Sequence, residues 1–234
     1  MAEAIHNKVD SLPASIRLFI GILIFGSIWG CLEATLGGFL NLIIFPNKGA
    51  IMSGIGMAIM SAALIVYRKP VMLPGIGIVA ASYKWLNAWF LFVPPTAVQI
   101  INPAMSIIFE ALVFSLVAFS LMNRMEKNVY VGVWSAVLAG FVSAVAYVYF
   151  AVYITHSPIF ARLGINSIGE FITGNGVIQA VFCGIVAPVG YLAGKKLVIV
   201  MSHISERKPV YYAISTATIL GCLGFSALAI IAGL

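Results

Sequence analysis

VMLPGIGIVAASYKWLNAWFLFVPPTAVQIINPAMSIIFEALVFSLVAFSLM, residues 71–122, sets the architecture of the chain. Two long apolar runs meet at a Val93-Pro94-Pro95-Thr96 corner, and each holds one ionisable residue deep inside, Lys84 in the first and Glu110 in the second. A third such residue, Glu33, sits in an earlier apolar run. Runs of this kind exceed the roughly 18 residues that identify a membrane-spanning helix. Charge within them is costly, and it marks a site or a pairing.

The composition agrees. Of 234 residues, 62% are hydrophobic and 9% charged, against about 25% charged in an ordinary soluble domain. A soluble core of this size has no way to hide so much apolar surface. Cys31, Cys183 and Cys222 lie in separate apolar runs without metal-ligand spacing and read as small buried hydrophobes. No cleavable leader pattern is seen at the N-terminus.

Seven spans are expected at about 18–36, 50–68, 71–92, 98–122, 129–153, 176–194 and 210–234. The predicted fold is all-α, a polytopic transmembrane helical bundle in a single integral membrane domain 1–234. Within it, 1–16 forms a cytoplasmic N-terminal segment beginning a helix near Ser11, 17–200 the core bundle, and 210–234 an additional C-terminal span. The connection 37–49 is apolar but broken by Gly and Pro, and is expected to dip into the outer interface or fold over the bundle. The connection 154–175 mixes apolar and polar residues with Gly and Pro breaks, as a partly helical cap would.

With the N-terminus in the cytoplasm, the inside segments carry ten basic residues: Lys8, Arg17, Arg68, Lys69, Arg124, Lys127, Lys195, Lys196, Arg207 and Lys208. The outside segments carry two, Lys48 and Arg162. This asymmetry fits an integral protein of a prokaryotic-type inner membrane, N-terminus inside. It accounts for the net charge of +6 without a nucleic-acid partner.

Polar residues fall on stripes at similar depth. Asn102, Ser106 and Glu110 are spaced i, i+4, i+8, as are Asn175, Gln179 and Cys183. Lys84 and Asn87 are i, i+3 neighbours, and Ser143 and Tyr147 are i, i+4. Trp29 lies one turn before Glu33, with Trp85 and Trp89 around Lys84. Apolar walls with a few placed polar groups suit a small-molecule pocket, opening to the outside. Lys84 can meet Glu110 across the 93–96 corner, meet Glu33, or meet neither. The plainer alternatives are a structural ion pair, an interfacial aromatic belt and interhelical polar contacts. Gly26, Gly30 and Ala34 form a small-residue stripe, as do Gly54, Ala58 and Ala62. Such stripes serve close helix packing or docking of a partner membrane subunit. P-loop, HExxH and GxSxG motifs are missing, His6, His156 and His203 lie outside the spans, and no catalysis, metal or cofactor is expected.

The chain resembles a substrate-binding S component of an energy-coupling factor (ECF) vitamin transporter. The likeness rests on size, an inside N-terminus, the Gly26-Gly30-Ala34 stripe, the broken loop 37–49 before the Gly54-rich second span, and INPAMSIIFEAL at 101–112. The resemblance implies a small helical bundle that captures a vitamin or precursor on the outer side. It further implies docking of the span-1 stripe on a transmembrane coupling subunit, with ATPases supplied by other chains. The family typically has six spans, and residues 210–234 depart from it as a seventh. The expectation is therefore a capture subunit for a small solute in membrane lipid. Glu33 and Glu110 would take a cationic or hydrogen-bonding group, and Lys84 an anionic group or Glu110. Trp29, Trp85 and Trp89 would stack on a ring, and Asn87, Ser106, Tyr147 and Gln179 would line the pocket. The rival expectations are a structural anchor of a larger redox or energy-conserving complex, and an ion-coupled carrier working alone.

Overall fold

The computed structural model describes residues 13–205 and 207–233, with the backbone but not the side chain of Arg162. Most of the expected cytoplasmic segment, with Lys8 and the Ser11 helix start, lies outside the described residues. Seven long helices carry the fold: α1 (Ala14–Leu42), α2 (Lys48–Tyr67), α3 (Leu73–Leu91), α4 (Val98–Met125), α5 (Val129–Tyr153), α8 (Val177–Ser205) and α9 (Lys208–Ile231). Two short helices, α6 (Ile159–Leu163) and α7 (Ile168–Phe171), lie between α5 and α8. There is no strand among the described residues, as expected in a bilayer, where every backbone group needs an internal partner.

Among the described residues six helical runs are long and apolar enough to cross a membrane: α1, α2, α4, α5, the run Ile168–Ser205, and α9. The protein is a polytopic helical membrane protein. The remaining expected span is α3. Its 19 residues reach about 28 Å, but Lys84 and Asn87 lower its apolar character. It packs between α1 and α4.

Several helices run past their expected ends. α1 continues through Gly37 and Gly38 to Leu42, so the connection shrinks to 43–47. Glycine lowers helix propensity by about 1 kcal/mol, yet an open backbone in lipid costs more. The chain turns instead near Pro46, with Ile44 and Asn47 in the left-handed region. α8 runs past Lys195 and Lys196 to Ser205. Lysine marks a membrane boundary, not a helix end, because it is a good helix former. The segment after α5 is a partly helical cap, with α6, α7 and a π turn at Ile172–Gly176. Phe171 and Ile159 pack there on Ala144, Val148 and Ala151 of α5.

The six helices α1, α3, α4, α5, α8 and α2 form a closed ring, each packed on the next, with α2 returning to α1. α9 lies outside the ring against α1 and is the least buried of the six apolar runs. The tightest seam joins α2 to α8. A Cβ on Gly190 would strike the Ala58 backbone carbonyl, and one on Gly194 would meet Ala62. Small residues here let two backbones touch. At one end of the bundle Arg68 and Glu126 form a two-pronged ion pair that joins α2 to α4, with Arg68 Nε 2.6 Å from Glu126 Oε1. The Tyr191 hydroxyl donates to the Glu126 carbonyl at 3.4 Å, and Lys195 lies 4.5 Å above the Tyr191 ring.

Candidate functional site

The site begins with two glycines. A Cβ on Gly26 would strike Val79, and one on Gly30 would enter the ring of Tyr83, so α1 lies directly on α3. Glu33 is three residues beyond Gly30, and Lys84 follows Tyr83. The close seam brings them together: Lys84 Nζ is 2.7 Å from Glu33 Oε2 and donates to the Glu33 carbonyl at 3.3 Å. Their side chains are only 13% and 10% exposed. The pair is largely buried in the bundle.

Lys84 therefore pairs with Glu33 and not with Glu110, and register explains why. Gly77 of α3 is level with Ala111 of α4, where an added Cβ would strike the alanine methyl. Lys84 is seven residues past Gly77, about 10 Å further along the axis. Glu110, next to Ala111, stays below it. The Glu110 side chain is 2% exposed, and its Oε1 has no hydrogen-bond partner among the described residues. Ser53 of α2 and Glu33 of α1 face it, with Cys183 of α8 nearby.

Above this layer the polar stripes tie helices to one another. Thr155 donates to Asn102 at 2.8 Å, joining the end of α5 to α4. Gln179 donates to Ser143 at 3.4 Å, and Ser143 donates to the Gly140 carbonyl at 3.0 Å. Tyr147 lies against Phe171 of the cap, ring centres 6.4 Å apart. Ser106 and Asn87 are half-buried.

Other expected site residues fall elsewhere. Trp29 is fully buried against Gly56, where an added Cβ would strike the indole. It is a packing residue, although its Nε1 has no hydrogen-bond partner among the described residues. Trp89 is 80% exposed and Trp85 37%, so neither ring is enclosed with the carboxylates. The stripe Gly26, Gly30 and Ala34 is buried within this chain, the two glycines against α3. Ser53 and Thr155 were not singled out from sequence. Ser53 stands in an apolar turn where a lone hydroxyl reads as packing, and Thr155 sits in a connection.

Glu33, Lys84 and Glu110 thus amount to two acids and one base in a low-polarity interior. The first two neutralise each other, and Glu110 keeps an open acceptor for a cationic or donor group. Among the described residues no three His, Cys, Asp or Glu side chains gather as a metal site would. A small cleft between α2, α4, α5 and α8, lined by Leu64, Met122, Ala187 and Tyr191, lies at the Arg68–Glu126 end, away from the carboxylates. No protein-family model, curated protein or solved structure matches this chain.

Proposed function

We propose that this chain is the membrane-embedded capture subunit of an uptake transporter for a small solute that carries a cationic or hydrogen-bond-donating group. The observation that carries the reading is the Glu110 carboxyl, buried among α1, α2, α4 and α8 with an oxygen that has no hydrogen-bond partner among the described residues. A buried acceptor left open costs free energy unless a ligand completes it. In this reading the N-terminus lies in the cytoplasm of a prokaryotic-type inner membrane, and solute enters from the outer side beneath the 154–176 cap. Glu110 anchors the solute. The Glu33–Lys84 pair fixes α1 on α3 and lends its outer edge to the pocket, with Asn87, Ser106 and Tyr147 around it.

The ECF S-component likeness fits this scheme through the six-helix ring, and it assigns energy input to a coupling subunit and ATPases on other chains. In this reading those subunits dock on a face other than the Gly26-Gly30-Ala34 stripe, which is buried within this chain. The exposed apolar side of α9 (Leu220, Phe225 and Leu228) favours a second reading, a structural anchor of a larger membrane complex.

Native mass spectrometry of the gently purified protein tests both. A small molecule that co-purifies, and is lost from Glu110→Gln while the protein stays folded, supports capture. Empty protein held in fixed ratio with non-ATPase membrane subunits, unchanged by Glu110→Gln, would replace capture with the anchor.

A further inference from the structure

The α4–α5 hairpin has an open groove on its outer surface, at the end of the bundle that collects the basic residues. Its floor is Leu121, Val131 and Leu138, and its rim is Arg124, Tyr130 and Trp134. Its volume is about 340 Å³, against about 30 Å³ for the cleft between α2, α4, α5 and α8. Of the two, the groove has room for a chain-like ligand. Ser135 also lines it, 2% exposed, and its hydroxyl makes no hydrogen bond among the described residues. A helical serine ordinarily bonds back to its own helix, as Ser120, Ser215 and Ser226 do here. Arg124 is exposed and has no acidic partner among the described residues, since Glu126 is taken by Arg68.

We propose that this groove is a binding site for one anionic phospholipid of the surrounding bilayer. The charge favours that class. Arg17, Arg68, Lys69, Arg124, Lys127, Lys195, Lys196, Arg207 and Lys208 flank this end, opposed among the described residues by Glu126 alone. Basic pockets between spans, at a face rich in Lys and Arg, attract anionic headgroups. The heights also fit. Arg124 and Tyr130 are at the hairpin end, where a phosphate would accept the paired N–H groups of the guanidinium. Ser135 is five residues further into α5, about 7.5 Å deeper, on the groove wall at the level of the ester groups. Below it, Leu138 continues the apolar floor along which an acyl chain would lie. Trp134 and Tyr130 are 69% and 73% exposed and supply the amphipathic rings found at headgroup level.

The test uses the full chain, stripped of lipid in mild detergent and titrated with phosphatidylglycerol or phosphatidylcholine. Native mass spectrometry reads the affinity for the first lipid bound. The wild type should prefer phosphatidylglycerol. Arg124→Gln should weaken that lipid about fivefold and erase the preference. Lys127→Gln, a neighbouring cation outside the groove, should change little. Unaltered binding in Arg124→Gln would overturn the proposal. So would an equal loss in Lys127→Gln, which would reduce the effect to general surface charge.

Discussion

Replacing Lys84 with Met would leave the Glu33 carboxylate in the α1–α3 seam without a counter-charge. At 2.7 Å and an effective dielectric of about 20, the pair attracts by about 6 kcal/mol. Most of that offsets the cost of drawing two charges out of water, so the pair adds little net stability. Removing one partner is a different matter, because the desolvated charge remains. Lys84→Met is expected to cost about 3–5 kcal/mol, and at 2–4 °C per kcal/mol in a chain of this size the melting temperature should fall on the order of 10 °C. Glu33→Gln should act in the same direction. Glu33→Gln/Lys84→Met should cost less than the sum of the two, by about 2–3 kcal/mol. Thermal unfolding in lipid nanodiscs measures all three. Glu110→Gln is the control. It replaces a buried carboxyl that has no cationic partner among the described residues with an amide of nearly the same shape, so it should melt at or above wild type. A Lys84→Met protein within about 2 °C of wild type, or strictly additive single variants, would refute the pairing as the fixture of this seam.

Other expectations test the packing. Gly190→Ala drives a Cβ into the Ala58 backbone, which has no side chain to move aside. It should cost about 3 kcal/mol or more, whereas Gly221→Ala, with nothing within 4 Å, should be neutral or stabilise by up to about 1 kcal/mol; chemical unfolding in detergent separates them. Trp29→Ala should cost about 3–5 kcal/mol as a core truncation. Trp89→Ala should leave the unfolding midpoint unchanged. Arg68→Ala breaks a partly exposed pair and should cost no more than about 1 kcal/mol, less at high salt.

The helices were legible because the bilayer leaves the backbone few choices. Apolar runs longer than a membrane is thick must be helical, and α5 spans 129–153 as its pattern predicts. The ends were less legible, since hydropathy reports where lipid stops and not where a helix stops. Lys195 and Lys196 bound the apolar run of α8, yet the helix continues for nine residues after Lys196. Gly37 and Gly38 suggested a break, but the backbone's need for internal partners held α1 together to Leu42.

The site was half legible for a more specific reason. The three buried ionisable residues stand out in any reading, and consecutive antiparallel helices suggest that Lys84 meets Glu110. Partner choice depends on register, and register is fixed by small contacts with no signature in composition. Gly77 on Ala111 sets α3 against α4, and Gly30 under Tyr83 sets α1 against α3. Sliding α3 by the two turns that would carry Lys84 down to Glu110 would lift Tyr83 off Gly30 and strand Glu33. The glycines therefore decide which carboxylate is spent on holding helices together and which keeps an open oxygen. The Gly26-Gly30-Ala34 stripe is packed inside the chain, and the consequence of this register is that Glu110, rather than Glu33, is the carboxyl without an ion-pair partner among the described residues.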